Sequence, residues 1–194
     1  MSRYHRCEGL WPSDIFAVHV WHTVAALEDT LDLVEASKAV ASEAARTALI
    51  KKALVELKAF DDLVAEFGTS LRGEQTAQLD SGSRIRLEQA VKNYHRAVQP
   101  SRGLLADIRN TLGAHRRGLP GDGERKRFGS DFRAWGEWEQ RLASLEAECT
   151  LSRWIDFVNS AIALRNEIAR ESPGAWFSFG ADGEFRLFFP IRPG

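Results

Sequence analysis

The sequence predicts an all-α protein, an up-and-down helical bundle of four to six helices with a C-terminal β-hairpin. Three observations carry this. Apolar residues recur at steps of three and four over most of the 194-residue chain. Two polar stretches, residues 68–83 and 116–129, punctuate the runs. Past residue 172 the period switches to strict alternation, which belongs to strands. The expected division is a helical bundle over 1–172 and a hairpin appendage over 173–194 that packs on the bundle or on a partner.

Each element has its own signal. Ser13 is placed to cap a first helix, in which Phe16, Val20, Val24, Leu27, Leu31 and Val34 share a face. Glu28, Asp29, Asp32 and Glu35 fall opposite, as a solvated acidic face. A second helix begins near Ser42 and carries Leu49, Ala53, Leu57, Phe60, Val64 and Phe67, with Gly68 suited to end it. Ser83 is positioned to cap a third, with Leu87, Val91, Tyr94 and Val98 inward, until Pro100 breaks or kinks the path. Ser101 opens a fourth, with Leu104 or Leu105, Ile108 and Leu112 inward. Ser130 restarts helix, and Trp135, Trp138, Leu142, Leu145 and Cys149 form its stripe. From Asp131 to Arg170 little stops a helix, yet forty helical residues would be exceptional, so a break is expected near residues 150–152. Finally, Phe177 and Phe179 precede "GADG", and Phe185, Leu187 and Phe189 follow it, which is the hairpin pattern.

Composition narrows the function. Hydrophobic residues make up 44% and charged residues 27%, the balance of an ordinary globular protein. A formal net charge of −1 exerts no global pull on nucleic acid, so any anion site has to be local. Cys7 and Cys149 fit neither a disulfide framework nor a zinc site. His19 and His22 sit at i and i+3 but lack a third ligand at a useful spacing, so neither a metal nor a cofactor is expected. There is no apolar leader and no apolar run near the ~20 residues of a membrane span. A cytoplasmic protein without membrane association is the expectation.

The stretch "LLADIRNTLGAHRRG", residues 104–118, stands apart from this background. Arg109 and Asn110 are adjacent, and His115 continues the inward stripe seven residues past Ile108. On a straight helix Arg109 and His115 would diverge by ~120°. Gly113 loosens the backbone between them. The basic loop 116–129 follows and brings Arg116, Arg117, Arg125, Lys126 and Arg127, a local positive field. The plain alternative is a rim histidine beside a solvated arginine.

"RNTLGAH" resembles the R-x4–6-H motif of the HEPN superfamily (higher eukaryotes and prokaryotes nucleotide-binding domains). That resemblance implies a dimeric helical bundle, often a metal-independent endoribonuclease of a toxin–antitoxin or defence system. It makes Arg109 and His115 catalytic, with Asn110 supporting, and Arg116, Arg117, Arg125, Lys126 and Arg127 contacts to RNA phosphates. A ribose 2′-OH would attack the adjacent phosphate. Histidine moves protons near neutral pH, and a guanidinium meets the developing charge. Two protomers bringing their motifs together would overcome the divergence of Arg109 and His115 on one helix. The expected partners are RNA, a second copy of the chain and an antitoxin protein.

A second stretch, "LRNEIAR" over 164–170, matches the related form "RNxxAH" with Arg170 in the histidine position. It reads either as a degenerate site in a non-cleaving relative or as an exposed helix face carrying Arg165 and Glu167, and the exposed face is the expectation. The alternative function, of another class, is a non-catalytic HEPN-like helical module for dimerisation or protein binding.

Overall fold

The computed structural model describes residues 4–8, 15–72, 79–113, 122–171, 177–179 and 185–191. The described chain is predominantly helical, as the sequence predicts, with six α-helices among the described residues. In order these are α1 (Ile15–Ala39), α2 (Glu43–Ser70), α3 (Ser81–Ile108), α4 (Asp122–Phe128), α5 (Phe132–Ala147) and α6 (Leu151–Glu171). Three short strands, β1 (Tyr4–Glu8), β2 (Phe177–Phe179) and β3 (Phe185–Ile191), form one sheet in the order β1-β3-β2. β2 pairs antiparallel with β3, Phe177 opposite Leu187, while β1 lies parallel to β3, Tyr4 opposite Leu187. β1 thus adds a third strand beside the C-terminal segment that the sequence predicts to pack on the bundle or on a partner. The expected Gly-Asp-Gly turn lies outside the described residues.

The chain divides into two compact units: residues 1–27, 60–96 and 160–194, and residues 28–59 and 97–159. In the first unit the core is built from Val20, Val24 and Leu27 of α1 and Phe60, Val64 and Phe67 of α2. Leu87, Val91 and Tyr94 of α3 and Leu164 and Ile168 of α6 complete it. Phe60 and Tyr94 meet edge to face with centroids 5.6 Å apart, the arrangement that ring quadrupoles favour. The Tyr94 hydroxyl donates to Oδ1 of buried Asp61 at 3.2 Å, so the phenol enters the core with its polar end satisfied.

Gly68 was expected to end α2, but the helix continues to Ser70. The physical reason is packing. A Cβ built at Gly68 would lie 3.2 Å from Cγ1 of Val91, so glycine is there to let α3 approach. Gly68→Ala is expected to stay within about 1 kcal/mol of wild type, because its helix propensity gain offsets the tight contact. Gly68→Leu is expected to cost about 1–3 kcal/mol through overpacking, measured by urea unfolding.

The start of α3 also differs in detail. Asp80, not Ser83, caps it: Asp80 Oδ1 accepts from the Ser83 backbone N–H at 2.9 Å. The Ser83 hydroxyl is thereby available to the far end of α6, lying 2.7 Å from Asp80 Oδ2 and 2.8 Å from Glu171 Oε2. Arg86 completes the joint with Nε to Oε1 and Nη2 to Oε2 of Glu171, both 2.7 Å, a bidentate fork on a largely buried carboxylate.

This joint has a pH signature. The Ser83 hydrogen bonds hold Asp80 below its ordinary carboxylate value, and the Arg86 fork, with Ser83, does the same for Glu171. Both groups are thus more acidic folded than unfolded, so their stabilisation is complete above the unfolded values and is lost as pH falls through the folded ones. Thermal melts of wild type are expected to weaken progressively below about pH 4. Glu171→Gln should melt lower at neutral pH and show a flatter acid limb. Equal acid limbs for both proteins would contradict the assignment.

In the second unit the core comprises Ile50, Ala53, Leu54 and Leu57 of α2, Val98, Leu105 and Ile108 of α3, and Trp138 and Leu145 of α5. Cys149, with Trp154 and Phe157 of α6, closes it. Ser42 caps α2, its hydroxyl accepting from the Ala45 N–H at 3.4 Å. Pro100 does not break the path: α3 runs through it to Ile108. Its ring has no N–H to offer the Arg96 carbonyl, and both residues are exposed, where solvent lowers the cost of the missing bond. The break near residue 150 is found, between Ala147 and Leu151. There the Trp154 indole N–H donates to the Glu148 carbonyl at 2.8 Å and holds the corner. Lys51 of α2 ion-pairs with Glu146 of α5 beside it.

The acidic face expected on α1 holds only in part. Asp29 and Glu35 are exposed, but Glu28 is fully buried. α1 is enclosed beyond its apolar stripe, since Thr23, Thr30 and Ser37 are buried as well. Thr23 and Ser37 enter by donating back to the carbonyls of His19 and Val34, each at 2.7 Å.

Candidate functional site

The motif stretch begins where α3 ends. Residues Arg109–Gly113 leave the α-helical path and form a π-helical turn, in which hydrogen bonds reach one residue further along the chain. Such a turn is wider than an α-turn, so it changes which residues face inward. Leu105, rather than Leu104, and Ile108 are fully buried, as the stripe requires. The next inward place falls to Thr111, 4% exposed, while Leu112 is only half-buried. Arg109 and Asn110 are left exposed, side by side.

Their side chains touch. Arg109 Nη1 donates to Asn110 Oδ1 at 3.4 Å, a long contact that orients the pair without saturating either. Among the described residues no carboxylate pairs with Arg109. The remaining guanidinium N–H groups and the Asn110 amide therefore point to a surface able to take an anion. His115, Arg116 and Arg117 lie outside the described residues.

The π-turn rests on α5, and α5 in turn carries α4. Arg141 of α5 reaches Asp107 Oδ1 at 3.7 Å, half a turn before Arg109, and lies 5.9 Å from the centroid of the buried Trp138 ring. On the α4 side Phe128 packs on Trp135 and Trp138, with centroids 5.5 and 6.1 Å apart. Gly129 then turns the chain with φ +54°, a left-handed conformation that glycine adopts without penalty. Asp131, one residue past the expected Ser130, caps α5 through Oδ1 with the N–H groups of Arg133 and Ala134, at 2.9 and 3.3 Å.

Arg125, Lys126 and Arg127 were expected on a loop. They occupy the last turn of α4, exposed. The segment reads Asp-Gly-Glu-Arg-Lys-Arg-Phe, acid first and base last, the order the helix dipole favours. Glycine-rich flanks concealed this seven-residue helix, and the aromatic contacts of Phe128 supply what its length cannot.

The second motif proves different from the expected exposed face. Arg165 is buried, 8% exposed, and donates through Nε and Nη2 to Asn166 Oδ1 at 3.2 and 2.9 Å. Arg170 is exposed and bonds to Glu167. "RNEIAR" thus holds a buried arginine bonded to a half-buried asparagine within the first unit. A periodic pattern cannot announce this, because how far a helix is covered depends on the elements packed against it.

Other groups carry less chemistry. His19 Nδ1 lies 4.0 Å from Glu66, and His22 packs edge-on to Trp21. Among the described residues no three His, Cys, Asp or Glu side chains gather as a metal-binding group. Burial pushes the Cys149 thiol up to about 11, so it is a core residue and not a nucleophile at neutral pH. An open depression of about 710 Å³, lined by Ser42, Thr47, Lys51 and Glu146 among others, contains none of the motif residues. No described helix is long and apolar enough to cross a membrane. Comparisons with protein-family models, curated proteins and solved structures find no match to the chain.

Proposed function

We propose that this chain is a HEPN-like, metal-independent endoribonuclease, a cytoplasmic toxin or defence effector working as a homodimer and held in check by an antitoxin protein. The observation that supports this reading best is the exposed Arg109–Asn110 pair on a π-turn. No described carboxylate answers the guanidinium, and α5 links the turn to the cations of α4. π-turns recur at functional sites because they hold side chains where a regular helix cannot.

The chemistry runs as an internal displacement. The 2′-oxygen bonds to phosphorus while the phosphorus–5′-oxygen bond breaks, leaving a 2′,3′-cyclic phosphate and a free 5′-hydroxyl. His115 takes the 2′-OH proton or supplies one to the departing oxygen. Arg109 offers a fork of N–H donors to the equatorial oxygens as their charge grows, and Asn110 orients it. The second protomer contributes the complementary copy. Arg116, Arg117, Arg125, Lys126 and Arg127 hold flanking phosphates. The up-and-down bundle over 1–172 and the appended C-terminal hairpin belong to the same reading.

The experiment is to incubate the protein with mixed RNA in EDTA. Cyclic-phosphate ends, no cutting of a 2′-deoxy substrate, and binding that falls steeply with salt are the expected results. No cleavage by a well-folded wild type would leave the non-catalytic module, which the exposed Ile155 of α6, 53% accessible, independently favours as a point of protein contact.

A further inference from the structure

Phe132 is the least explained apolar residue in the second unit. It occupies the first position of α5 and is 89% exposed, so it contributes almost nothing to the core. Phenylalanine is a poor choice there on helix propensity as well. Its neighbours are the informative part. Between residues 125 and 133 the chain carries Arg125, Lys126, Arg127 and Arg133 against one acid, Asp131. Asp131 is spent on the cap, its Oδ1 accepting two backbone N–H groups. Arg133 meets Glu137 at 3.1 Å with both side chains largely in water, an exposed pair that a phosphate can replace at small cost. The tight turn at Gly129, with the Asp131 N–H on the Phe128 carbonyl at 2.9 Å, joins the cationic last turn of α4 to the first turn of α5, and the two helices pack together.

We infer that Phe132 is a stacking platform for one unpaired base of single-stranded RNA, with Arg125, Lys126, Arg127 and Arg133 receiving the adjoining phosphates. An exposed ring amid cations is the combination that binds single strands, since every base has a π-face and the backbone supplies the charge. A duplex keeps its bases stacked and cannot use it. This assignment rests on the proposed RNA function and specifies the form of the substrate. Phe132 takes no part in the chemistry.

The test measures binding of a fluorescein-labelled, 2′-O-methyl single-stranded 10-mer, which cannot be cut, to the full chain. Phe132→Ala is expected to weaken binding roughly 5- to 100-fold and Phe132→Trp to restore it. With an abasic 10-mer of the same charge, the Phe132→Ala effect should vanish. An unchanged helical circular dichroism spectrum checks the fold. If wild type binds the 10-mer and Phe132→Ala binds it equally well, the stacking assignment is overturned while RNA binding stands. If wild type binds neither 10-mer, the RNA function falls with it. If Phe132→Ala instead turns a dimer into a monomer in sedimentation without changing affinity for the 10-mer, the ring belongs to a contact between copies and the inference is wrong.

Discussion

Arg109→Ala is expected to slow single-turnover RNA cleavage by about 10²–10³-fold, the usual loss when one donor to a developing oxyanion is removed. The change should leave stability within about 0.5 kcal/mol of wild type. Arg109 is exposed, and among the described residues its side chain makes only the 3.4 Å contact with Asn110. That separation of effects is what makes the variant informative. Arg109→Lys should recover little, because an ammonium offers a point charge where a planar fork is needed. His115→Ala should cost about 10²–10⁴-fold and remove one limb of the pH–rate profile. Relief of toxicity on expression should accompany either change. Wild-type cleavage by Arg109→Ala would rule out the proposed chemistry whatever else the protein does with RNA.

The largest expected loss of stability is at Trp154. The residue is 2% exposed, packs against Phe157 at 6.1 Å between centroids, and ties its indole N–H to the Glu148 carbonyl across the corner between α5 and α6. Trp154→Ala removes the ring and the hydrogen bond together, so it should cost about 3–5 kcal/mol. Trp154→Phe keeps much of the volume and loses one hydrogen bond, while the Glu148 carbonyl keeps the Thr150 N–H at 2.9 Å, so a smaller loss of about 0.5–1.5 kcal/mol is expected. Urea unfolding with far-UV detection measures both. A Trp154→Ala midpoint equal to wild type would mean that the corner is not part of the cooperative core.

The stripes Leu57-Phe60-Val64-Phe67 and Leu87-Val91-Tyr94-Val98 were legible because a helix with one face against a core must repeat its apolar residues every three or four positions. The α5–α6 break was legible from length alone. Caps were displaced by one to three residues, since Ser, Asp and Asn compete for the same role and their backbone conformation decides among them. Of the candidate site, the exposure of Arg109 and Asn110 followed from the stripe that surrounds them. The π-turn that presents them did not, because no residue pattern distinguishes it from an α-turn ended at Gly113. The exposed ring of Phe132 was likewise silent in a chain with 11 phenylalanines.

The sequence by itself determined that the chain is mainly helical, roughly where most helices run, and which residues carry chemistry worth testing. Those are local properties: periodicity, turn residues and the kinds of side chain present. Only the tertiary structure decided that Glu28 and Arg165 are buried, that Gly68 serves a close approach of two helices, that Ser83 and Arg86 secure Glu171, and that the two chain ends share a sheet. The last three depend on partners distant in sequence. A desolvated charge or a missing Cβ is stabilising or ruinous according to what stands opposite it, and only the fold brings that neighbour into place.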